Sequence, residues 1–422
     1  MALIKDKICE GVNLYYIPAD HFKTNRISIR FHLPAERENI TKISLLTQVL
    51  KRGTEKYKDM KEISEKCDDL YGASVGAGTS RMGDRIMVGI SESMVADRFL
   101  SERILPEAID VLNQVVFFPY LENGSFKKEY VEQEKENLRT YINGIINDKK
   151  SYANLRCNQI MFEGDPFGIS SCGYIEDIDG ITPENLYEEY QRIISECSAD
   201  IFISGSYSKE DIELVKKEFG FMKPRKAEDI PTVLAKPEDI KTEKRVTEEM
   251  QVTQSKLAMG FRIGVDPIGE EIYALTVFNC LFGGSPFSKL FMNVREKMSL
   301  AYYVYSSLDR MKSIMQISSG IEAENYEKAL EGIFGQLEEV KKGNFTEEDL
   351  EASKRYIATS FNASKDSLVA LERNYIRQLV CGKEEEIEEF LDNINKVRKE
   401  DVCAVAHKIK LDTIYFLKGE GK

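Results

Sequence analysis

The sequence predicts an α+β protein of two homologous domains, each a mixed or antiparallel β-sheet with helices packed on one side. The first observation behind this prediction is a repeat, because Gly53 recurs as Gly283 and Leu70 as Leu300, both 230 positions later. The second is length, since 422 residues exceed what one hydrophobic core usually supports. The third is a charged stretch containing prolines between the two copies. A repeat of this length indicates one domain type used twice.

The first copy begins with a strand and continues into a helix. Residues 27–33 alternate apolar and polar, which is the period of a half-buried strand. Residues 43–50 predict a mostly buried helix, capped by Asn39 or Thr41. Apolar residues at 138, 141, 142, 145 and 146 share one face of a helix predicted over 132–146. This mixture of strands and helices is typical of a sheet covered by helices.

The second copy repeats these elements in the same order. Residues 256–265 repeat the first strand pattern, and Leu281-Phe-Gly-Gly-Ser repeats the helix end Leu50-Lys-Arg-Gly-Thr. Near the end of each copy, residues 414–419 resemble residues 201–205. The alternative is chance similarity between generic α/β patterns. Because the separated matches keep one order, we interpret them as an internal duplication.

A change in composition marks the boundary between the copies. Over residues 223–247 charge is dense, apolar periodicity is lost and prolines appear. This stretch is typical of an extended linker. We therefore expect an N-terminal domain over 1–222, a linker over 223–247 and a C-terminal domain over 248–422.

Composition excludes several classes of protein. A formal charge of −13 argues against nucleic-acid binding, which depends on clustered Lys and Arg. No apolar run is long enough for a membrane span, and the first residues lack a signal-peptide core, so we expect a cytoplasmic protein that does not bind membranes. Eight scattered cysteines are typical of reduced core residues. Neither common phosphate-loop spacing is present, which argues against nucleotide binding.

Two segments resemble a known family. Residues 283–305 contain a Gly-Gly-Ser-Pro turn, a helix ending Arg-Glu-Lys and a strand beginning Leu-Ala-Tyr. This order is similar to the C-domain signature of the insulinase, or pitrilysin, family of zinc metallopeptidases, which includes mitochondrial processing peptidase. Residues 50–57 resemble the segment that follows the family's inverted zinc motif. The resemblance spans nearly the whole chain and implies the two-domain fold of the processing peptidases.

The metal motif of that family is altered in this chain. In the family, His-x-x-Glu-His places two zinc ligands and a general base on one helix face. Counting back from Gly53 puts Ser44, Thr47 and Gln48 at those positions. The third ligand position falls on Tyr141, while Glu134 matches a family glutamate seven residues earlier. The resemblance therefore implies that this chain has no catalytic residues and no metal, and that zinc is expected only on a partner subunit.

The family's substrate-binding pair is retained. An arginine and a tyrosine seven residues apart hold the substrate in the family, and they match Arg295 and Tyr302. Arg supplies a fork of donors for carbonyl oxygen, and a phenol can donate toward a developing oxyanion. The alternative is structural, with the arginine paired to a nearby acid and the tyrosine packed in the sheet.

Together these features resemble bacterial family members that work in pairs. The resemblance implies a non-catalytic, zinc-free subunit of a heterodimeric, processing-peptidase-like metalloendopeptidase, with a zinc-motif-bearing paralogue as its partner. It further implies that unfolded peptide is the substrate and that a homodimer is possible. One alternative is a structural or peptide-binding scaffold without a role in proteolysis, like the family's respiratory-complex core proteins. Another is an autonomous hydrolase with an unrecognised site.

Overall fold

The computed structural model describes residues 3–227 and 229–419. In chain order, the strands are β1 Ile4–Cys9, β2 Val12–Pro18, β3 Thr24–Pro34, β4 Ser74–Met82, β5 Arg85–Val95, β6 Leu121–Glu122, β7 Ser125–Phe126, β8 Ala199–Gly205, β9 Lys244–Met250, β10 Ser255–Arg262, β11 Ala301–Asp309, β12 Ile314–Ile321 and β13 Lys410–Gly419.

The α-helices include long amphipathic helices and one short turn. They are α1 Ile40–Val49, α2 Met60–Asp69, α3 Leu105–Phe117, α4 Lys128–Ile145, α5 Lys149–Met161, α6 Ile175–Ile178, α7 Pro183–Glu196, α8 Lys209–Phe219, α9 Glu271–Asn279, α10 Tyr326–Lys341, α11 Glu347–Ser364, α12 Leu368–Cys381, α13 Ile387–Lys396 and α14 Lys399–Lys408. Two wider π-type helical segments, Cys280–Gly284 and Leu290–Lys297, follow α9. Within the described residues, no helix is long and apolar enough to cross a membrane.

The chain forms two compact units, each built from three segments. The first unit comprises Met1–Asn143, Ile169–Pro231 and Ser367–Ile376. The second comprises Gly144–Gly168, Thr232–Asp366 and Arg377–Lys422. Each unit therefore contains a short segment from the opposite half of the sequence, whereas the domains expected from the sequence were continuous.

The first unit is built on a six-stranded mixed sheet in the order β1-β2-β8-β3-β5-β4. Strands β2 and β8 are parallel, and the other neighbours are antiparallel. The alternation predicted for residues 27–33 lies on β3, where Ile27, Ile29 and Phe31 are buried in the core beneath the helices. Arg26, Ser28 and Arg30 consequently point to the opposite face of the sheet, because successive side chains alternate.

The second unit repeats this topology. Its five-stranded sheet has the order β11-β12-β10-β13-β9, with β9 and β13 parallel. In the first sheet, the corresponding strands follow in the order β4-β5-β3-β8-β2, so that β9 matches β2 and β13 matches β8. Its separate core includes Leu257, Met259 and Phe261 of β10. Two mixed sheets of one topology confirm the predicted fold class.

Each unit takes a short segment from the opposite half of the sequence, and we call these two pieces, which include α5 and the beginning of α12, the crossed segments. They lie on the outer faces of the sheets, opposite the main helical layers. In the second unit, Ala153 and Cys157 of α5 pack with Ala258, Tyr415 and Leu417. Gly260 makes this approach possible, because a Cβ there would meet the sulfur of Met161 at 2.6 Å. In the first unit, the beginning of α12 contributes Glu372 to the outer face of β3. Each sheet is therefore covered on both faces.

Two local expectations differ from the structure. The side chain of Asn39 makes no capping bond at α1, and the Thr41 hydroxyl instead accepts from the Tyr174 amide at 3.1 Å and donates to Asp177 at 2.6 Å. The predicted cap was therefore wrong, because tertiary partners occupy Thr41. In the stretch expected as linker, the Arg225 guanidinium donates to the carbonyl of Ile194 at 2.7 Å, so this stretch is partly tied to the first unit.

Candidate functional site

The altered metal motif lies on α1 of the first unit. Thr47 is buried, and Ser44 and Gln48 are half-buried on the same helix. The Thr47 hydroxyl donates to the Ser44 carbonyl at 2.9 Å and accepts from the Gln48 amide at 3.1 Å. The hydroxyl of Thr47 is thus engaged within α1 as donor and acceptor.

The later helix supplies the remaining positions of the motif. Glu134 of α4 is buried, pairs with the Arg52 guanidinium and accepts from the Asn137 amide at 3.1 Å. Tyr141, at the expected third ligand position, is 63% exposed. The retained carboxylate is therefore neutralised by an arginine, and the position seven residues later presents a solvent-exposed phenol.

These residues do not fit a zinc ion. Zinc sites in proteins use thiolate, imidazole or carboxylate ligands, whereas Ser44, Thr47 and Gln48 offer hydroxyls and an amide. Throughout residues 3–227 and 229–419, no three His, Cys, Asp or Glu side chains are placed to hold a metal ion. No step of metal-assisted chemistry can be derived for this chain.

Restoring the first two ligands and the base is expected to leave the chain inactive. The triple variant Ser44→His, Thr47→Glu, Gln48→His would rebuild the helix motif, but Tyr141 would still replace the third ligand and Arg52 would still neutralise Glu134. We expect no peptide hydrolysis, measured with a quenched fluorescent peptide in added zinc. A quadruple variant that also carries Tyr141→Glu is the matched comparison. Turnover by the triple variant would refute this account of the site.

Arg295 lies on a wide helical segment of the second unit. In the segment Leu290–Lys297, the Met298 amide donates to the Asn293 carbonyl at 2.9 Å, an i to i−5 bond. Such π-type turns are frequent at functional sites. The Arg295 guanidinium lies 4.5 Å from the centre of the Phe291 ring and is only 3.6 Å from its neighbour Glu296. The Arg295 side chain is 39% exposed, so it is partly accessible to solvent.

Tyr302 lies on β11, an edge strand of the second sheet. The pairing with β12 passes from Ala301 to Tyr303 across a bulge, which leaves Tyr302 as the extra residue. Its side chain is 59% exposed rather than packed in the sheet. The hydroxyl donates to Glu322 at 2.5 Å, and this hydrogen bond raises the pKa of Tyr302. Sequence reasoning missed Glu322, because no motif marks it as the partner of a tyrosine twenty residues earlier.

The altered metal motif and the Arg295–Tyr302 pair each belong to a unit whose sheet has an open edge. The first sheet ends at β4, where Gly76, Ala77 and Gly78 present backbone with little side chain. The second sheet ends at β11, which carries Tyr302. An open edge can pair with an extended peptide through backbone hydrogen bonds. Chemically, the two units offer unpaired backbone groups at sheet edges, a partly exposed Arg295 and an exposed Tyr302.

Comparisons with known proteins agree with this description. A family model described as "Peptidase M16 inactive domain" matches residues 180–357. The chain is 35% identical to the "Probable inactive metalloprotease YmfF" of Bacillus subtilis, over 97% of this chain and 96% of the relative. It is 29% identical to the "Uncharacterized zinc protease YmxG" of the same organism, over 72% of each chain.

Solved structures show the same fold. A conserved protein from Enterococcus faecalis V583 superposes with a TM-score of 0.92 at 32% identity, with all of both chains covered. A peptidase M16 inactive domain from Pseudomonas fluorescens superposes with a TM-score of 0.80 at 19% identity, over 100% of this chain and 99% of that one. At that identity, the second likeness shows the fold alone.

Proposed function

This chain belongs to the peptidase M16 family as an inactive member, and from that premise we propose that it is the zinc-free subunit of a heterodimeric metalloendopeptidase of the cytoplasm. Its partner would be a paralogue that carries the intact zinc motif. The observation that supports this proposal is a contrast within one chain. The metal positions on α1 are occupied by Ser44, Thr47 and Gln48, whereas Arg295 remains partly exposed and Tyr302 exposed.

Arg295 would bind the peptide backbone of an unfolded substrate. A guanidinium offers several N–H donors in a fixed fork, which suits a peptide carbonyl near the bond to be cleaved. In this structure, Arg295 is paired only with the adjacent Glu296 at 3.6 Å among the described residues, and its side chain is 39% exposed. Arg295 is therefore available to a ligand without breaking a buried ion pair.

Tyr302 would act as a positioned acceptor. Because its hydroxyl proton is engaged by Glu322, the phenol oxygen presents lone pairs rather than a free O–H. A peptide N–H can donate to that oxygen while the chain lies along the open edge of β11. This role differs from the oxyanion donor expected from the sequence, and the difference arises from one hydrogen bond.

The test is a reconstitution with the partner. A quenched fluorescent peptide is incubated with this chain alone, with a zinc-motif relative from the same genome, and with both. We expect activity only in the mixture, and we expect Arg295→Ala to lower kcat/KM of the mixture by about tenfold, the cost of one charged hydrogen bond. Lys297→Ala, an exposed cation on the same helical segment, is the matched control.

Three outcomes would contradict the proposal. Equal activity with and without this chain would leave a scaffold or peptide binder, which the open edges of β4 and β11 alone would support. A similar loss with Arg295→Ala and Lys297→Ala would mean that Arg295 acts only through the general charge of the surface. Activity of this chain alone would identify an autonomous hydrolase.

A further inference from the structure

Three lysines lie near one end of the second sheet without acidic partners. Lys149 and Lys150 begin α5, and Lys256 is on β10. Within the described parts of the chain, no carboxylate oxygen lies within 4 Å of their ammonium groups. Lys149 donates to the sulfur of Met250 at 3.0 Å, and Lys256 donates to the amide oxygen of Gln254.

Two of these lysines converge on one aromatic ring. The ammonium of Lys150 is 5.0 Å from the ring centre of Tyr303 and 4.5 Å from that of Tyr305. The ammonium of Lys256 is 5.6 Å from the same Tyr303 ring. Aromatic faces attract cations but carry no net charge, so the rings do not neutralise either ammonium group. Burial lowers the pKa of Lys256; the charge of Asp148 raises it, and the smaller effect of Lys150 lowers it.

The backbone of β12 leaves room for this arrangement. Gly320 pairs with Tyr303 on one side and with Lys256 on the other. A Cβ at Gly320 would lie 2.5 Å from Cε1 of Tyr303, so the ring rests directly over the glycine. The ring therefore reaches across β12 toward Lys256. Lys150 is exposed, and Lys256, Tyr303 and Tyr305 are half-buried, so the group is open to solvent.

The acid closest in sequence is committed elsewhere. Asp148 caps α5, where its carboxylate accepts from the amides of Lys150 at 3.2 Å and Ser151 at 3.1 Å and from the Ser151 hydroxyl at 2.6 Å. These bonds lower the pKa of Asp148. Asp148 thus reduces the local positive charge but does not bind either ammonium group directly.

We propose that Lys150 and Lys256, held by the rings of Tyr303 and Tyr305, form a binding site for a carboxylate or phosphate group. An anion between the two ammonium groups would accept charge-assisted hydrogen bonds from both. The bound anion is either the carboxylate of an acidic residue in a peptide or a free phosphate ion. This site lies entirely within the second unit and does not depend on the proposed zinc-bearing partner.

The test measures the melting temperature of the whole chain with added ligand. One series adds sodium phosphate against sodium chloride at matched ionic strength, and the other adds an acetylated peptide containing Glu against the same peptide with Gln. A ligand that binds the folded state raises the melting temperature. We expect a rise with phosphate or with the Glu peptide, and we expect Lys150→Gln or Lys256→Gln to weaken the apparent affinity by about tenfold. A response to the Glu peptide alone assigns a peptide carboxylate, and a response to phosphate alone assigns a free phosphate group.

Two further variants keep the test decisive. Lys149→Gln makes the same charge change in the same turn of α5 and should bind like the unmodified chain. Gly320→Ala changes no charge but displaces the Tyr303 ring, and it should weaken binding. Equal stabilisation of all variants, or no stabilisation by either anion, would overturn the proposal.

Discussion

Replacing Glu372 by alanine is expected to lower the free energy of unfolding by about 3–5 kcal/mol, the usual cost of breaking a buried ion pair. The Glu372 side chain is 1% exposed. It accepts from Arg26 at 3.0 Å, from Ser28 at 2.7 Å and from two nitrogens of Arg30 at 2.8 and 2.5 Å. Its removal would leave two largely buried guanidinium groups without a counter-charge, and Arg26 would keep only the Ser93 hydroxyl as an acceptor. The crossed segment of α12 would also lose its polar attachment to β3.

The measurement is urea unfolding followed by circular dichroism. Arg373→Ala changes an exposed residue of the same helix and is the matched control, with an expected effect within about 0.5 kcal/mol. If both variants unfold at the same urea concentration, the cluster contributes little to stability.

The pH dependence gives a second test of Glu372. Burial raises the pKa of this carboxyl, but Arg30 and Arg26 outweigh burial and the net pKa lies below the ordinary value of 4.5. The folded state therefore favours the ionised form, and this contribution is present above the unfolded pKa and lost as pH falls through the folded pKa. The stability difference between the unmodified chain and Glu372→Gln should shrink on acidification below pH 4.5.

Replacing Glu92 by methionine is expected to raise the free energy of unfolding by about 2 kcal/mol at neutral pH, because an unpaired buried carboxyl is replaced by an apolar group of similar length. Glu92 is 0% exposed on β5, in the inward-facing row that also holds Ile90 and Met94. Neither carboxyl oxygen has a hydrogen-bond partner in the described chain. Burial raises its pKa well above the ordinary value of 4.5.

The sign of the pH effect is opposite to that of Glu372. Above pH 4.5 the unfolded chain releases the Glu92 proton while the folded chain retains it, so the unmodified protein loses stability as pH rises. Glu92→Gln removes the titration but keeps a polar group, and it should abolish this loss without the full gain of Glu92→Met. Urea unfolding at pH ~5 and ~8 measures both effects. Parallel pH profiles for the unmodified chain and Glu92→Gln would contradict the prediction.

The local elements were predictable because their signals are local. The two-residue period of residues 27–33 and the helical spacing over 132–146 correspond to β3 and α4, and the repeat predicted two sheets of one topology. Glu92 also left a signal that was not used, since it interrupts a row of alternating apolar residues. The row Ile86, Val88, Ile90 and Met94 would have marked it as a buried carboxyl.

Long-range partners were not predictable from one sequence. The pattern of α12 indicates a buried face, but nothing in it specifies which sheet that face covers. A bulge adds one residue to a strand without changing composition, so the exposure of Tyr302 and its bond to Glu322 left no sequence pattern. The substitutions at Ser44, Thr47, Gln48 and Tyr141 were readable because a motif has fixed spacing. How their side chains bond to each other depends on the folded helix.

Because of the crossed segments, the first unit cannot be completed during synthesis until part of the second half of the chain has been made. A ribosome releases the chain from its N-terminus, and the first sheet has all its strands once residue 205 has emerged. The ion pairs of Arg26 and Arg30 cannot form until Glu372 has been made, about 170 residues after the last strand of the first sheet. During that interval, the outer face of the nascent sheet lacks its cover and its counter-charge. A segment from the second half of the chain therefore completes the unit whose strands are made first.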